Sequence, residues 1–236
     1  MTLKGKVAIV TGATSGIGRA ISFCLSEAGA ILCVLGRNRY ALEELEKKLN
    51  QSRSYWVDLE KDEDIYRFKE NFLKEFHRVD FLIHCAGVIR LGSVKDMSVH
   101  DFDLQFKVNV RAPYLLTHLF LPLLEKNRGC VVFINSSSAF KSNKLVSQYS
   151  ATKHALKAIA DGLRKEVNPL GIKVVSIYPG QTATPMQKEI YKILKRDYKP
   201  EKLIQPLDVA HILLNIISLP QQVEVTDINI RPFLKP

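Results

Sequence analysis

The sequence predicts an α/β fold: a doubly wound, mostly parallel sheet of seven strands with helices on both faces. Three observations predict it. Seven short runs rich in β-branched residues recur along the chain, helix-periodic segments fill the intervals between them, and the runs are nearly continuously apolar rather than alternating. Strands covered on both faces read this way, and parallel neighbours need a crossover between them, usually a helix. Of the 236 residues, 46% are hydrophobic and 25% charged, enough to bury a large core. No internal repeat or long linker divides the chain, so residues 1–236 are expected to form a single domain.

The elements follow in order. KVAIVT (6–11) runs through TGATSGIG (11–18) into the periodic segment 19–28. AILCVLG (30–36) precedes the segment 41–49, and SYWVDL (54–59) precedes 63–76. VDFLIHCAG (79–87) is followed by one long helical stretch, 102–125, and GCVVFINSS (129–137) by 148–167. IKVVSIYPG (172–180) leads to a variable stretch and then to the helix 208–219, and VEVTDINI (223–230) supplies the seventh strand. Each strand run is short and β-branched, and each interval repeats its apolar residues at three- and four-residue spacing.

Several function classes are excluded at this level. No stretch reaches the roughly 20 unbroken apolar residues of a membrane span. The longest apolar patch, YLLTHLFLPLL (114–124), is broken by Thr117, His118 and Pro122. The start MTLKGKVAIVTG lacks a cleavage site of small residues, so a cytoplasmic location is expected. Cys24, Cys33, Cys85 and Cys130 lie in apolar contexts without metal-ligand spacing, which predicts free core thiols and no metal. The net charge of +10 is spread along the chain without interleaved aromatics, so small anions are expected as partners rather than nucleic acid.

TGATSGIG sits where a first strand turns into a first helix, the place where open α/β sheets bind ligands. Backbone N–H groups near residues 17–19, with the positive end of the helix dipole, suit a pyrophosphate, and the missing Cβ atoms of Gly12, Gly16 and Gly18 permit its approach. Gly36 and Arg37 end the second strand, where a carboxylate would select NAD(H). A guanidinium there favours NADP(H), because it pairs with the 2′-phosphate. Asp58, after the third strand, is positioned for the adenine amino group. Thr14, Ser15, Ile17, Asn38 and Leu59 complete the cofactor-binding set on this side.

Further motifs occur in a recognisable order. HCAG (84–87) follows the fourth strand, Asn109 lies in FKVNV, Ser136 ends INS, YSATK supplies Tyr149 and Lys153, and YPGQTATPM supplies Pro179, Gly180 and Thr184. With TGATSGIG, this series resembles the short-chain dehydrogenase/reductase family, in its shorter single-domain branch, from the first strand to about residue 185. The resemblance implies a Rossmann-like fold and hydride transfer between NADP(H) and a carbonyl or secondary alcohol. Tyr149 and Lys153, four apart on one helix face, bring an ammonium beside a phenol. At ~4 Å and an effective dielectric of ~20 that cation is worth roughly 4 kcal/mol, about 3 pK units, enough to draw a pKa of ~10 toward neutrality. Tyr149 then serves as the proton donor to the developing alkoxide.

Ser136, thirteen residues before Tyr149, is expected to hydrogen-bond the substrate oxygen, with Ser137 as the alternative. By resemblance, Asn109 holds a water joining Lys153 to solvent, Ala86 and Gly87 keep the backbone turn of the family's NNAG, and Pro179, Gly180 and Thr184 face the nicotinamide, with Thr182 sharing that role. His84 and Cys85 depart from NNAG. Neither His84 nor His154 reads as a general base, since one closes an apolar strand and the other merely neighbours Lys153. A substrate lid is expected at about 185–205, as a helix over 186–203 with Met186, Ile190, Ile193 and Leu194 on one apolar face. Lys188, Lys192, Lys195 and Lys199 line another face, either solvated or recruiting an anionic group. The resemblance also implies a homodimer through the helices at 102–125 and 148–167. The ending DINIRPFLKP lacks the Asp-Gly-Gly of the family's tetramers, which leaves a tetramer open.

Overall fold

The computed structural model describes residues 2–234; Met1, Lys235 and Pro236, included in the single-domain expectation and in the DINIRPFLKP ending, lie outside the described residues. Seven strands, β1 Val7–Thr11, β2 Ile31–Gly36, β3 Ser52–Trp56, β4 Phe81–His84, β5 Cys130–Ile134, β6 Lys173–Pro179 and β7 Asp227–Ile230, form one sheet in the order β3-β2-β1-β4-β5-β6-β7. Every neighbouring pair is parallel. The chain winds outward from β1 to β3, then crosses back to β4 and winds the other way. The reversal between β1 and β4 opens a crevice at their carboxyl ends.

Alternate side chains of the central strands enter two cores. Ala8, Val10, Leu32, Val34, Ile83, Val132 and Ile177 join buried residues of α1 Gly16–Glu27, α2 Arg39–Glu46 and α8 Pro206–Ile217. Ile9, Cys33, Leu35, Leu82, Val131, Phe133 and Val174 face α3 Asp62–Glu75, α4 Val99–Phe106, α5 Ala112–Asn127 and α6 Ser147–Val167. The edge strands β3 and β7 are only partly covered, as their mixed composition requires.

Two expected elements are corrected. The helix at 102–125 starts at Val99 and is interrupted by a π turn, Lys107–Arg111, between α4 and α5. The reason lies in the spacing of its buried residues, Leu104, Val108, Ala112, Leu116, Phe120 and Leu124, which recur every four positions. A regular α-helix drifts by ~40° per such repeat, and one widened turn resets the face. The lid is likewise not one helix over 186–203. α7, Pro185–Ile193, stops before Lys195, which takes a left-handed φ of 52°, and Pro200–Lys202 forms a separate 3-10 turn. Its buried anchor is Tyr191, whose hydroxyl donates to Gln181 Oε1 at 2.6 Å, whereas Met186 and Ile193 of the expected inner face stay 38% and 55% exposed.

Gly162 lies inside α6 with no atom within 4 Å of the place a Cβ would take. Gly162→Ala is therefore expected to stabilise the chain by roughly 0.5–1 kcal/mol through helix propensity alone. For a chain of this length that is a rise in Tm of about 1–4 °C, read by thermal unfolding.

Candidate active site

The crevice is built first by the chain's own close contacts. Gly12 has φ 65°, and a Cβ there would lie 2.8 Å from Ala86 Cα and 2.9 Å from Ala86 N. A Cβ on Gly18 would run into the Gly12 carbonyl oxygen. Besides permitting the approach of a phosphate, the missing side chains of these two glycines are needed by backbone packing. Gly16, φ 51°, faces Thr184, whose Cγ2 would be 3.1 Å from its Cβ, so the loop at 12–18 and the segment after β6 meet here. Thr11, which the motif reading overlooked, ties the loops together, its Oγ1 accepting from Cys85 N at 3.0 Å and Ala86 N at 3.1 Å. The first turn of α1 carries no acidic residue and no side-chain cap, since the Ser15 hydroxyl caps nothing. Its N–H groups therefore still face the crevice with hydrogen bonds to give. Thr14 packs its Cγ2 against Gly36 at the end of β2.

At the ends of β2 and β3, Arg37 is exposed and its Nη1 stands 3.7 Å from Asp58 Oδ1, pairing two residues that the sequence had assigned to separate tasks. Trp56 Nε1 donates to the Arg37 carbonyl at 2.9 Å, and the Arg39 guanidinium lies 5.0 Å above the Trp56 ring. Arg39 and Trp56 were not singled out from the sequence; the run RNR beside the chain's single tryptophan was the available signal. Asn38 spends its side chain capping α2, accepting from Ala41 N at 3.0 Å. Leu59 turns its side chain into the core, so only its backbone is left for the crevice.

On the other side of the crevice β5 ends beside α6. Ser136 Oγ accepts from Ser138 N at 3.1 Å, capping the 3-10 turn Ser137–Ala139. Tyr149 and Lys153 lie in the first turns of α6, and the Lys153 ammonium is 5.7 Å from the centre of the Tyr149 ring. Lys153 is only 4% exposed; its Nζ would be 3.9 Å from a Cβ on Gly87, and Asn109 Oδ1 3.5 Å from it. Asn135 and Thr152, also missed from the sequence, hold α6 in place. Asn135 Nδ2 donates to Lys153 O at 3.2 Å, and Thr152 Oγ1 donates to Tyr149 O at 2.7 Å.

The Asn109 side chain, carried on the π turn, accepts from Val88 N at 2.8 Å and donates to Val88 O at 2.9 Å and Thr152 Oγ1 at 3.1 Å. These bonds use both Nδ2 hydrogens and one of the two Oδ1 lone pairs, so a water held by this residue would be met by the remaining lone pair or by its backbone.

Without cofactor, burial acts against the expected direction of the Tyr149 shift. Desolvation pushes the phenol up to about 12, opposed by the neighbouring Ser136 hydroxyl, and lowers Lys153 to about 8. The ammonium above the ring does not reverse the loss of water around the phenol.

His84 is buried, stacked 5.0 Å from Phe133 and hydrogen-bonded through Nε2 to Thr117 Oγ1 at 2.9 Å; desolvation lowers its pKa to about 3. His154 is exposed, with Nδ1 2.8 Å from Ser150 O. Pro179 ends β6, and Gly180 N donates to Ile230 O at 2.7 Å. Thr184 caps α7, accepting from Gln187 N at 3.2 Å, while Thr182 is buried with its hydroxyl donating to Gly180 O at 3.1 Å. Of the two threonines, only Thr184 is brought to the glycine loop.

Two cavities, of about 380 and 260 Å³, open at the amino ends of the strands around Arg128 and Lys173 and contain none of these residues. Among the described residues no group of three or more His, Cys, Asp or Glu is placed to hold a metal ion, the cysteines are free, and no helix is long and apolar enough to cross a membrane.

Residues 6–194 match the family model described as short chain dehydrogenase. An uncharacterized oxidoreductase of Staphylococcus aureus is 34% identical over 98% of both chains. Among solved structures, a metagenomic short-chain oxidoreductase in complex with NADP is 26% identical with a TM-score of 0.86, covering 99% of this chain and 100% of that one. A 3-ketoacyl-(acyl-carrier-protein) reductase from Brucella melitensis complexed with NADH, 24% identical, shares the fold with a TM-score of 0.88 over 97% of this chain and 98% of its own.

Proposed function

Because the chain belongs to the short-chain dehydrogenase/reductase family, we propose that it is an NADP(H)-dependent oxidoreductase acting on a carbonyl or the matching secondary alcohol, with Tyr149 as general acid and base. The observation that supports this most is the convergence of Ser136, Tyr149, Lys153 and the turn at 86–87 beside the uncapped start of α1. When bound, the nicotinamide supplies or accepts the hydride. The residues fit such a group: the first-turn N–H groups at Gly16, Ile17 and Gly18 suit the pyrophosphate, Asp58 and the Leu59 backbone the adenine, and Tyr149 and Lys153 the ribose. Pro179, Gly180, Thr182 and Thr184 take the carboxamide side, Ser136 donates to the substrate oxygen, and Tyr149 transfers the proton.

The exposed Arg37 and Arg39 favour the phosphorylated dinucleotide, while the Arg37–Asp58 pair is the observation on the side of NAD(H). Losing one charge-assisted contact costs about 1.5–3 kcal/mol, so Arg37→Ala should weaken NADPH binding by roughly ten- to a hundredfold and leave NADH within about threefold. Trp56, the single tryptophan, reports both titrations by its fluorescence, and tighter NADH than NADPH binding by the unaltered chain would defeat the NADP reading.

A cytoplasmic homodimer formed through α4, α5 and α6, with a lid over 185–205 and no nucleic-acid partner, completes the proposal. Exposed Phe102, stacked 4.9 Å from Phe106, and Tyr114, 59% exposed, support that face, and sedimentation velocity tests it.

A further inference from the structure

Behind the Ser136 turn, a ring of contacts links the two last strands to α6. Phe140, the first residue after Ser137–Ala139, is half exposed; its ring centre lies 4.6 Å from that of Tyr178 on β6, and the Lys157 ammonium is 5.9 Å above it. Tyr178 is fully buried and its hydroxyl donates to Asp227 Oδ1 on β7 at 2.7 Å. Lys157 donates to Asp161 Oδ2 at 2.5 Å, and Arg164 donates to Asp161 Oδ1 at 3.1 Å and to the Val174 and Thr226 carbonyls at 3.0 Å each. Arg164 Nη2 also stands 3.7 Å from Asp227 Oδ2, which closes the ring.

The Ser136 turn needs an anchor on its downstream side. Upstream it is held by β5, where Asn135 N donates to Ile177 O at 2.8 Å. Its internal bonds, Ala139 N to Ser136 O at 2.9 Å and Phe140 N to Ser137 O at 3.3 Å, fix its shape but not its orientation. Beyond it, residues 141–145 are exposed, and the next backbone tie to another loop is Gly92 N to Leu145 O at 3.0 Å. Between β5 and that tie, Asn135 is bonded to α6 through Lys153 O and Ala139 is buried, and the Phe140 ring is the large side chain that follows the turn and lodges against β6 and α6.

We propose that Phe140, gripped between Tyr178 and Lys157, is a positioning residue that fixes the Ser136 turn over α6, so that the serine hydroxyl and the Tyr149 hydroxyl address the same substrate oxygen. This rests on the catalytic reading of Ser136 and Tyr149. A hydroxyl displaced by about 1 Å can cost up to ~10²-fold in rate. Releasing this downstream anchor of the turn is therefore expected to lower kcat by about tenfold, leaving KM for NADPH unchanged.

The test compares the unaltered enzyme, Phe140→Ala, Phe140→Tyr and Tyr149→Phe with a ketone that the unaltered enzyme reduces, and measures amide exchange over 137–140 by mass spectrometry. The expected result is a kcat loss with faster exchange in Phe140→Ala, and recovery of both in Phe140→Tyr, which keeps the ring. Undiminished kcat in Phe140→Ala, or a loss confined to KM for the ketone with unchanged exchange, overturns the positioning role while Tyr149→Phe is inactive. If no ketone is reduced, or if Tyr149→Phe is as active as the unaltered enzyme, the reading of the site itself fails and this role falls with it.

Discussion

Tyr149→Phe is expected to reduce turnover by a factor on the order of 10²–10⁴, the range that a positioned general acid contributes, while NADPH binding weakens by no more than about tenfold, the loss of one neutral contact to the ribose. The substitution removes one oxygen and keeps the ring over which the Lys153 ammonium sits at 5.7 Å, so packing in the first turns of α6 is preserved. The pH dependence follows from the raised phenol. Without ligand, Tyr149 titrates at about 12 and is fully protonated at neutral pH, which is the form that gives a proton during carbonyl reduction. Oxidation of the alcohol needs the deprotonated form, whose population increases tenfold for each pH unit below that value. Reduction should therefore stay level while alcohol oxidation climbs between about pH 7 and 9, and the climb should vanish in Tyr149→Phe. Steady-state rates in both directions across that range check the assignment, and a fully active Tyr149→Phe enzyme would disprove it.

The sheet was legible because its strands announce themselves as short apolar runs, and every expected run overlaps an observed strand, with only β3 starting outside its run, two residues before SYWVDL. Tyr149 and Lys153 were legible as a pair because helical spacing fixes their shared face before anything else is known. What spacing does not encode is how much water a group keeps. The lowered pKa expected for the phenol came from nearby positive charge, whereas in the chain without cofactor burial desolvates both groups. The π turn was legible in principle from the four-residue repeat of Leu104 to Leu124, but the apolar content of the stretch hid its period. The lid misled for another reason. Met186 and Ile193 are apolar at helical spacing, yet which stripe of an isolated helix is buried depends on what it lies against, and the Tyr191 hydroxyl bond to Gln181 decides it. Trp56 and Arg39 belong to the same class, since their stacking joins residues seventeen positions apart on neighbouring elements.

Gly12→Ala is expected to lower Tm by roughly 4–20 °C in the absence of any cofactor, besides weakening NADPH binding. Two costs combine at this position. An L side chain at φ 65° costs about 1–2 kcal/mol, and a Cβ pressed to 2.8 Å from a backbone carbon adds the roughly 1–3 kcal/mol of an overpacked site. Neither is easily relieved, because Ala86 is backbone and its N–H is tied to Thr11 Oγ1 at 3.1 Å. A loss of about 2–5 kcal/mol converts at ~2–4 °C per kcal/mol for a chain of this length. The measurement also separates two explanations of the glycine loop. If the missing Cβ served only to admit a phosphate, Gly12→Ala would lose NADPH binding with an unchanged unliganded Tm; if it serves backbone packing, the unliganded chain itself must be weakened. Gly18→Ala should behave likewise and couple to the first, because its Cβ would strike the Gly12 carbonyl, and any shift that relieves one clash moves the partner in the other. The double variant should then deviate from the sum of the singles by more than about 0.5 kcal/mol, the limit within which independent sites add.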